Sequence, residues 1–303
     1  MKKILIFGMG YVGQHLAAAL DGQYQVIGTS REALSQNQIN WNAAEATESS
    51  NQAVAQQILQ ADAILCSIPP DENGDVVYAQ FGELIKKSNV KWLGYLSTTG
   101  VYGDHQGGKV DETTPLNAQN TRAKKRISAE TQWQKLANNT NQVNSPTTTE
   151  RSVHIFRLPG IYGVGRSAFE ALTADRAKRI DMRLKHGPQK GEKHFFCRSH
   201  VDDIVQVIVA SLKKQLSGIN IYNIVDDLPA PQADIVKYAA KLMGAEVPNL
   251  LSEPQADMSD MAKSFYAECK NMQNNKIKTE LGVSLKHPDY KQGLSAIWQQ
   301  IKA

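Results

Sequence analysis

Three glycines near the start of the chain, in Gly8-Met9-Gly10-Tyr11-Val12-Gly13, follow the spacing G-x-G-x-x-G. At that spacing the first glycine permits a tight turn. The second lets the backbone approach a pyrophosphate, and the third lets the following helix pack on the preceding strand. The amides of Tyr11, Val12 and Gly13 would open that helix, where unpaired N–H groups and the helix dipole favour an anion. The chemistry this pattern suits is the holding of a nucleotide diphosphate. Further on, Thr29-Ser30-Arg31 stands where a dinucleotide site would carry an Asp or Glu for a ribose 2′-hydroxyl. A guanidinium on Arg31 and a hydroxyl on Ser30 suit a 2′-phosphate instead. NADP is therefore the expected cofactor. Glu32, one residue on, keeps NAD possible, and a solvated Arg31 on a loop is the competing reading. Ser67-Ile68-Pro69-Pro70 ends another apolar run, and Ser67, Ile68 and Pro69 are expected to border the adenosine half of the cofactor.

Other chemistry finds less support. The histidines (His15, His105, His154, His186, His194, His200 and His287) show no metal-ligand spacing, and no metal is expected. Cys66, Cys197 and Cys269 are too widely spaced for a disulfide framework or a zinc knuckle. No Gly-x-Ser-x-Gly nucleophile elbow is present.

These residues need elements to position them. Lys3 to Phe7 is a short apolar run of the kind buried on both faces of a parallel sheet. Val12, Leu16 and Leu20 then recur at helical spacing. A second strand is expected from Tyr24 to Gly28, a short third around Ile39 and Trp41, and others over Ala63–Ile68, Trp92–Leu96 and Val153–Leu158. Helices are expected over Ala53–Leu59, Phe81–Lys87 and 121–137. The polar stretch Asn138–Arg151 reads as a loop. Beyond it come a strand at Phe195-Phe196-Cys197, a helix over Val201–Leu212, a strand over Ile219–Val225 and a helix over Ile235–Met243. The last sixty residues read as mainly helical. Alternating strands and helices predict an α/β fold, a Rossmann-like doubly wound parallel sheet with a smaller, interleaved C-terminal α/β lobe. The expected division is 1–160 for the dinucleotide lobe and 161–303 for the substrate lobe.

The 303 residues include 34 Lys and Arg against 30 Asp and Glu, a net charge of +4. That balance is too mild to argue for nucleic acid. No apolar run approaches the ~20 residues of a membrane span, and Met1-Lys2-Lys3 with its short apolar run lacks the length of a signal peptide. A cytoplasmic globular protein with a small-molecule substrate, and neither a nucleic acid nor a membrane partner, is expected.

Leu96-Ser97-Thr98-Thr99-Gly100-Val101-Tyr102-Gly103-Asp104, Asp111-Glu112-Thr113-Thr114-Pro115, Phe156-Arg157-Leu158-Pro159-Gly160-Ile161-Tyr162-Gly163-Val164-Gly165-Arg166, His200-Val201-Asp202-Asp203-Ile204 and Tyr222-Asn223-Ile224-Val225-Asp226-Asp227 follow in order. Together with the glycine turn they resemble the extended short-chain dehydrogenase/reductase superfamily, the epimerase/dehydratase-like proteins, over most of the chain. The resemblance implies hydride chemistry, as an oxidoreductase, epimerase or dehydratase, on a small or sugar-like, anionic substrate. It places Thr98 in the Ser/Thr position of the site, with Tyr102 as a further hydroxyl. It sets Ser97, Arg126 and Pro159 beside the cofactor and Arg166 toward the substrate. Where relatives place a diphosphate-binding Arg four residues before the His, this chain has Phe196, so Arg198, two residues on, is the substitute expected. Arg122 is expected to bind an anionic substrate group. Active relatives carry Tyr-x-x-x-Lys on the helix that follows. In the register set by Ala129-Glu130, Arg122 and Arg126 take those two slots, so the chain resembles an atypical subgroup. Arginine cannot be deprotonated at working pH and is a poor general base. A non-catalytic dinucleotide-binding sensor or regulatory protein is therefore the alternative to an enzyme. Superfamily relatives often pair through helices corresponding to residues 75–87 and 121–137, which makes a homodimer possible.

Overall fold

The computed structural model describes residues 1–32, 35–137, 151–187, 189–214, 216–251 and 265–303. The segment 138–150, expected as a loop, lies outside the described residues apart from its flanking Arg151.

The apolar run at the N-terminus forms strand β1 (Lys2–Phe7), with Ile4 to Phe7 fully buried. Helix α1 (Tyr11–Ala19) and strand β2 (Tyr24–Ser30) follow, then β3 (Gln38–Asn40). Helix α2 (Glu48–Gln60) starts five residues earlier than hydropathy predicts. Thr47 and Ser50 form a capping box that extends it into a polar stretch. After β4 (Ala63–Cys66), α3 (Val76–Lys87) also starts early, because Asp75 accepts the Tyr78 amide as its N-cap. Strand β5 (Trp92–Thr98), the short β6 (Lys109–Val110), α4 (Thr121–Gln134) and β7 (Ser152–Leu158) complete this run.

Beyond β7 come β8 (Gly160–Tyr162), α5 (Ala168–Thr173), β9 (Arg179–Ile180), β10 (Arg198–His200), α6 (Val201–Lys213), β11 (Gly218–Asn223), α7 (Gln232–Met243), β12 (Leu250–Leu251) and β13 (Asn271–Met272). The predicted strand at Phe195-Phe196-Cys197 is corrected. Phe196 makes only a lone antiparallel bridge to Ala230, and the strand is shifted to Arg198–His200. Of the last sixty residues, read as mainly helical, 252–264 lie outside the described residues. Their described part holds helices Asn275–Thr279 and Tyr290–Lys302 together with two short strands.

Seven strands form the main sheet in the order β11-β7-β5-β4-β1-β2-β3. The pairs from β5 to β3 are parallel. The chain runs outward from β1 to β3 and then returns to β4 on the other side of β1. The order therefore reverses between β1 and β4, where an open α/β sheet forms a crevice at the carboxyl ends of its strands.

The chain divides into two units. The first comprises Met1–Val101, Thr121–Arg157 and Val205–Tyr222. Its core includes Phe7, Trp41 and Phe81, whose ring centroids lie 5.6 to 6.0 Å apart. The second comprises Tyr102–Asn120, Leu158–Ile204 and Asn223–Ala303. It holds the short parallel pairs β8–β10, β9–β12 and β6–β13. Its core gathers Tyr162, Phe169, Ile235, Tyr290, Leu294 and Ile297. Among the described residues no helix is long and apolar enough to cross a membrane.

Candidate functional site

The site is built at the reversal of strand order in the first unit. Gly8 leaves β1 with φ +90°, a conformation that side chains rarely adopt. A Cβ there would meet Ser67 Oγ at 2.7 Å. Ser67 instead uses that space, donating its hydroxyl toward the Gly8 carbonyl at 2.7 Å. Thr29 ties the turn to β2 from the other side: its Oγ1 accepts the Gly8 amide at 3.1 Å and its carbonyl accepts the Met9 amide at 2.9 Å. A Cβ on Gly13 would meet the Gly8 carbonyl at 2.8 Å, so the third glycine lets α1 sit against the turn.

Gly10 differs from the other two. A Cβ there would meet nothing within 4 Å. Gly10 is also the N-cap of α1, and no side chain caps the helix. The space beside Gly10, at the helix start, is thus open, although Tyr11, Val12 and Gly13 do not themselves line it. That space is a cleft of about 850 Å³ lined by Gly8, Met9, Gly10, Thr29, Ser30, Arg31, Ser67, Ile68 and Pro69, among others. Residues from the ends of β1, β2 and β4, far apart in sequence, therefore line one cleft. The uncapped helix start and the room at Gly10 fit a dinucleotide pyrophosphate. Arg31 is exposed at the cleft wall, and Ser30 Oγ accepts the Glu32 amide at 3.3 Å.

Sequence reasoning missed several lining residues: Trp41, Asn42, Asp71, Asn73 and Asp75. Trp41 and Asn42 carried a faint signal, an aromatic and a capping amide in an otherwise polar stretch. Asp75 is buried, and that burial holds its carboxyl above the ordinary range while the Tyr78 amide opposes the rise. Nothing in the local sequence marks it as more than a helix cap.

At the end of β5, Thr98 is half-buried and its Oγ1 accepts the Gly100 amide at 3.1 Å. Its hydroxyl proton remains available for a donor role. The neighbouring Ser97 requires a correction as a cofactor ligand. It is buried, and its hydroxyl donates to Glu130 Oε1 at 2.5 Å. Glu130, on α4, is also buried and takes Arg157 from β7 in a forked pair at 3.1 and 2.7 Å. One turn earlier on α4, Arg126 donates Nη1 to the Leu96 carbonyl at 2.7 Å and to Tyr95 Oη at 3.0 Å. Arg122 is exposed on the first turn. The two arginines are not an equivalent anion clamp, because one guanidinium is turned toward β5. Lys125, on the same helix, pairs with Glu72.

In the second unit the structure corrects two further expectations. Tyr102 is fully buried and donates its hydroxyl to Asn223 Oδ1 at 2.9 Å, while the Asn223 amide donates to Glu112 Oε1 at 2.8 Å. Three of the motifs singled out in the sequence thus meet in a buried structural network, and Tyr102 has no exposed hydroxyl with which to handle a substrate proton. Arg198 is buried as well, donating Nη2 to the Ala230 carbonyl at 3.3 Å. It lies in the field of buried Asp226. Burial pushes the Asp226 carboxyl up to about 8 and the Arg198 guanidinium down, with their mutual attraction opposing both shifts. Arg198 therefore serves the interior of its unit rather than an anionic substrate group. Arg166 is exposed in the turn Gly163–Arg166, and Pro159 is half-buried between β7 and β8.

A model of the NAD dependent epimerase/dehydratase family matches residues 4–224. The chain is 37% identical to a functionally unknown conserved protein from Silicibacter pomeroyi, with a TM-score of 0.81 over 99% of both chains. It is 28% identical to the protein YeeZ of Escherichia coli K12, over 95% of this chain and 97% of that one. A dTDP-glucose 4,6-dehydratase from Bacillus anthracis, solved in complex with NAD, shares the fold with a TM-score of 0.72 at 18% identity, covering 100% of this chain and 97% of that one.

Proposed function

The chain belongs to the NAD dependent epimerase/dehydratase family, and from that premise we propose that it is an NADP-dependent enzyme using hydride chemistry on a small or sugar-like, anionic substrate. The observation that carries this reading is Gly10, whose missing side chain opens the uncapped start of α1 onto a cleft walled by Arg31. The amides of Tyr11, Val12 and Gly13 would hold the pyrophosphate. Arg31 and Ser30 would hold the 2′-phosphate, and Ser67, Ile68 and Pro69 would flank the adenosine half. When bound, the nicotinamide supplies the hydride donor and acceptor.

The remaining work falls to the chain. Thr98 would donate its hydroxyl proton to a substrate oxygen, with Oγ1 held by the Gly100 amide. Arg126, already fixed to the Leu96 carbonyl, would offer its remaining N–H groups to the nicotinamide ribose. Arg122 would bind an anionic group of the substrate. Neither arginine can act as a base, so proton transfer would rest on Thr98 and water.

The absence of any tyrosine between Tyr102 and Tyr162 favours a second reading, a non-catalytic dinucleotide sensor. One experiment separates the two. The protein is loaded with NADPH and absorbance is followed across sugar nucleotides, aldehydes and keto acids. Turnover abolished by Thr98→Ala establishes the enzyme. Tight cofactor binding with no turnover in any class establishes the sensor.

A further inference from the structure

We propose that His200, Asp202 and His287 form a binding site for a first-row transition-metal dication of the zinc(II) and cobalt(II) class. All three residues belong to the second unit. His200 ends β10, Asp202 stands in the first turn of α6, and His287 precedes the C-terminal helix Tyr290–Lys302.

The geometry is close to that of a metal site. One ligand atom from each of His200, Asp202 and His287 lies within 4.8 Å of the other two. Asp202 Oδ2 is 3.2 Å from His287 Nε2 and 3.6 Å from His200 Nδ1. A tetrahedral zinc with bonds of about 2.0–2.1 Å holds its donors roughly 3.3–3.4 Å apart. Two edges of the donor triangle are within about 0.2 Å of that length. Two imidazoles and one carboxylate are a donor set for this class of ion, with a fourth position left to water.

The surroundings pre-orient the donors. The His200 and His287 rings are in contact, with centroids 3.9 Å apart, and Tyr162 meets His200 edge-on at 5.1 Å. Asp203 accepts the backbone amides of Lys286 at 2.6 Å and of His287 at 3.2 Å, which fixes the segment carrying the second imidazole. Nδ1 of His200 accepts the Asp202 amide at 3.2 Å, so the nitrogen facing the carboxylate carries a lone pair. Metal binding would exchange that hydrogen bond for a coordinate bond. The Asp202 side chain is 35% exposed, which gives an ion a way in. Spacing along the chain conceals the site, because His287 lies 85 residues beyond Asp202.

The test uses the full chain without a histidine tag. Cobalt(II) chloride is titrated and its visible d–d absorption followed, then zinc chloride is added in competition. The expected result is one equivalent of cobalt with tetrahedral-type bands that zinc abolishes. Asp202→Asn and His287→Ala should each weaken cobalt binding at least about tenfold, and His186→Ala, at an exposed histidine, should leave it unchanged. Asp202→Asn keeps the shape of a partly exposed side chain, so it carries the test even where His287→Ala fails to fold. Binding well below one equivalent, or binding that survives Asp202→Asn, overturns the site and leaves His200 as a cap on the Asp202 amide.

Discussion

Gly10 and Gly28 lack a side chain to opposite effect. At Gly10 the space is open and suited to a ligand. At Gly28 the space is filled by the protein itself, since a Cβ would meet Met9 Cγ at 2.0 Å. Gly10→Ala should therefore leave stability within about 1 kcal/mol of the parent while weakening NADP binding at least tenfold; paired denaturation and calorimetric titration read the two effects. Gly28→Ala should cost about 1–3 kcal/mol through forced repacking of Met9, read by chemical denaturation. In the proposed reading, Arg31 decides which dinucleotide is preferred. A charge-assisted contact to a phosphate contributes about 1.5–3 kcal/mol, so Arg31→Ala should weaken NADP by roughly ten- to a hundredfold and NAD far less. An unchanged NADP dissociation constant would remove the case for a 2′-phosphate.

At the scale of elements, the carboxyl end of β5 is held by α4 and β7 together. Glu130 links the two, taking the forked guanidinium of Arg157 and the hydroxyl of Ser97 in one buried cluster. Removing one partner of such a pair leaves an uncompensated buried charge and typically costs about 3–5 kcal/mol. Glu130→Ala should show that loss in a denaturant titration, and the double change Glu130→Leu with Arg157→Met should recover most of it. The helix bounds follow the same logic of local capping. α2 and α3 begin where Thr47 and Asp75 accept backbone amides, not where the apolar pattern begins. Periodicity alone therefore starts both helices five residues late.

At the scale of the whole molecule, His154 ties folding to pH. It is fully buried in β7, stacked with Trp92, Phe156 and Tyr222 at centroid distances of 5.2 to 6.2 Å. Among the described residues, neither ring nitrogen has a hydrogen-bond partner. Burial lowers its imidazole from 6.5 to about 3. Between those values the unfolded chain holds a proton that the folded chain does not. The contribution of His154 to stability is present above pH 6.5 and is lost as pH falls toward 3, with a slope of about 1.4 kcal/mol per pH unit. His154→Phe should flatten that slope. Melting curves from pH 7 to pH 4 check it, and an unchanged slope would show that other groups set the acid limit.

The order of the main-sheet elements through β7 (though not the short β6), the glycine turn and the family motifs were legible in the sequence, because each rests on local rules: apolar period, turn chemistry and residue spacing. The convergence of Arg31 and Ser67 on one cleft follows from the doubly wound pattern, since the reversal of strand order brings the ends of β1, β2 and β4 together. The partners of individual side chains followed from no local rule. Ser97 and Tyr102 stand in motifs that suggest chemistry, yet Glu130 and Asn223, 33 and 121 residues away, take up their hydroxyls. Arg198 reads as a surface anion ligand and is interior, because the strand it occupies is set by pairing with β8 and not by its own apolar content. Whether a hydroxyl or a guanidinium faces a ligand or the core depends on which distant segment packs against it, and only the tertiary structure decides that.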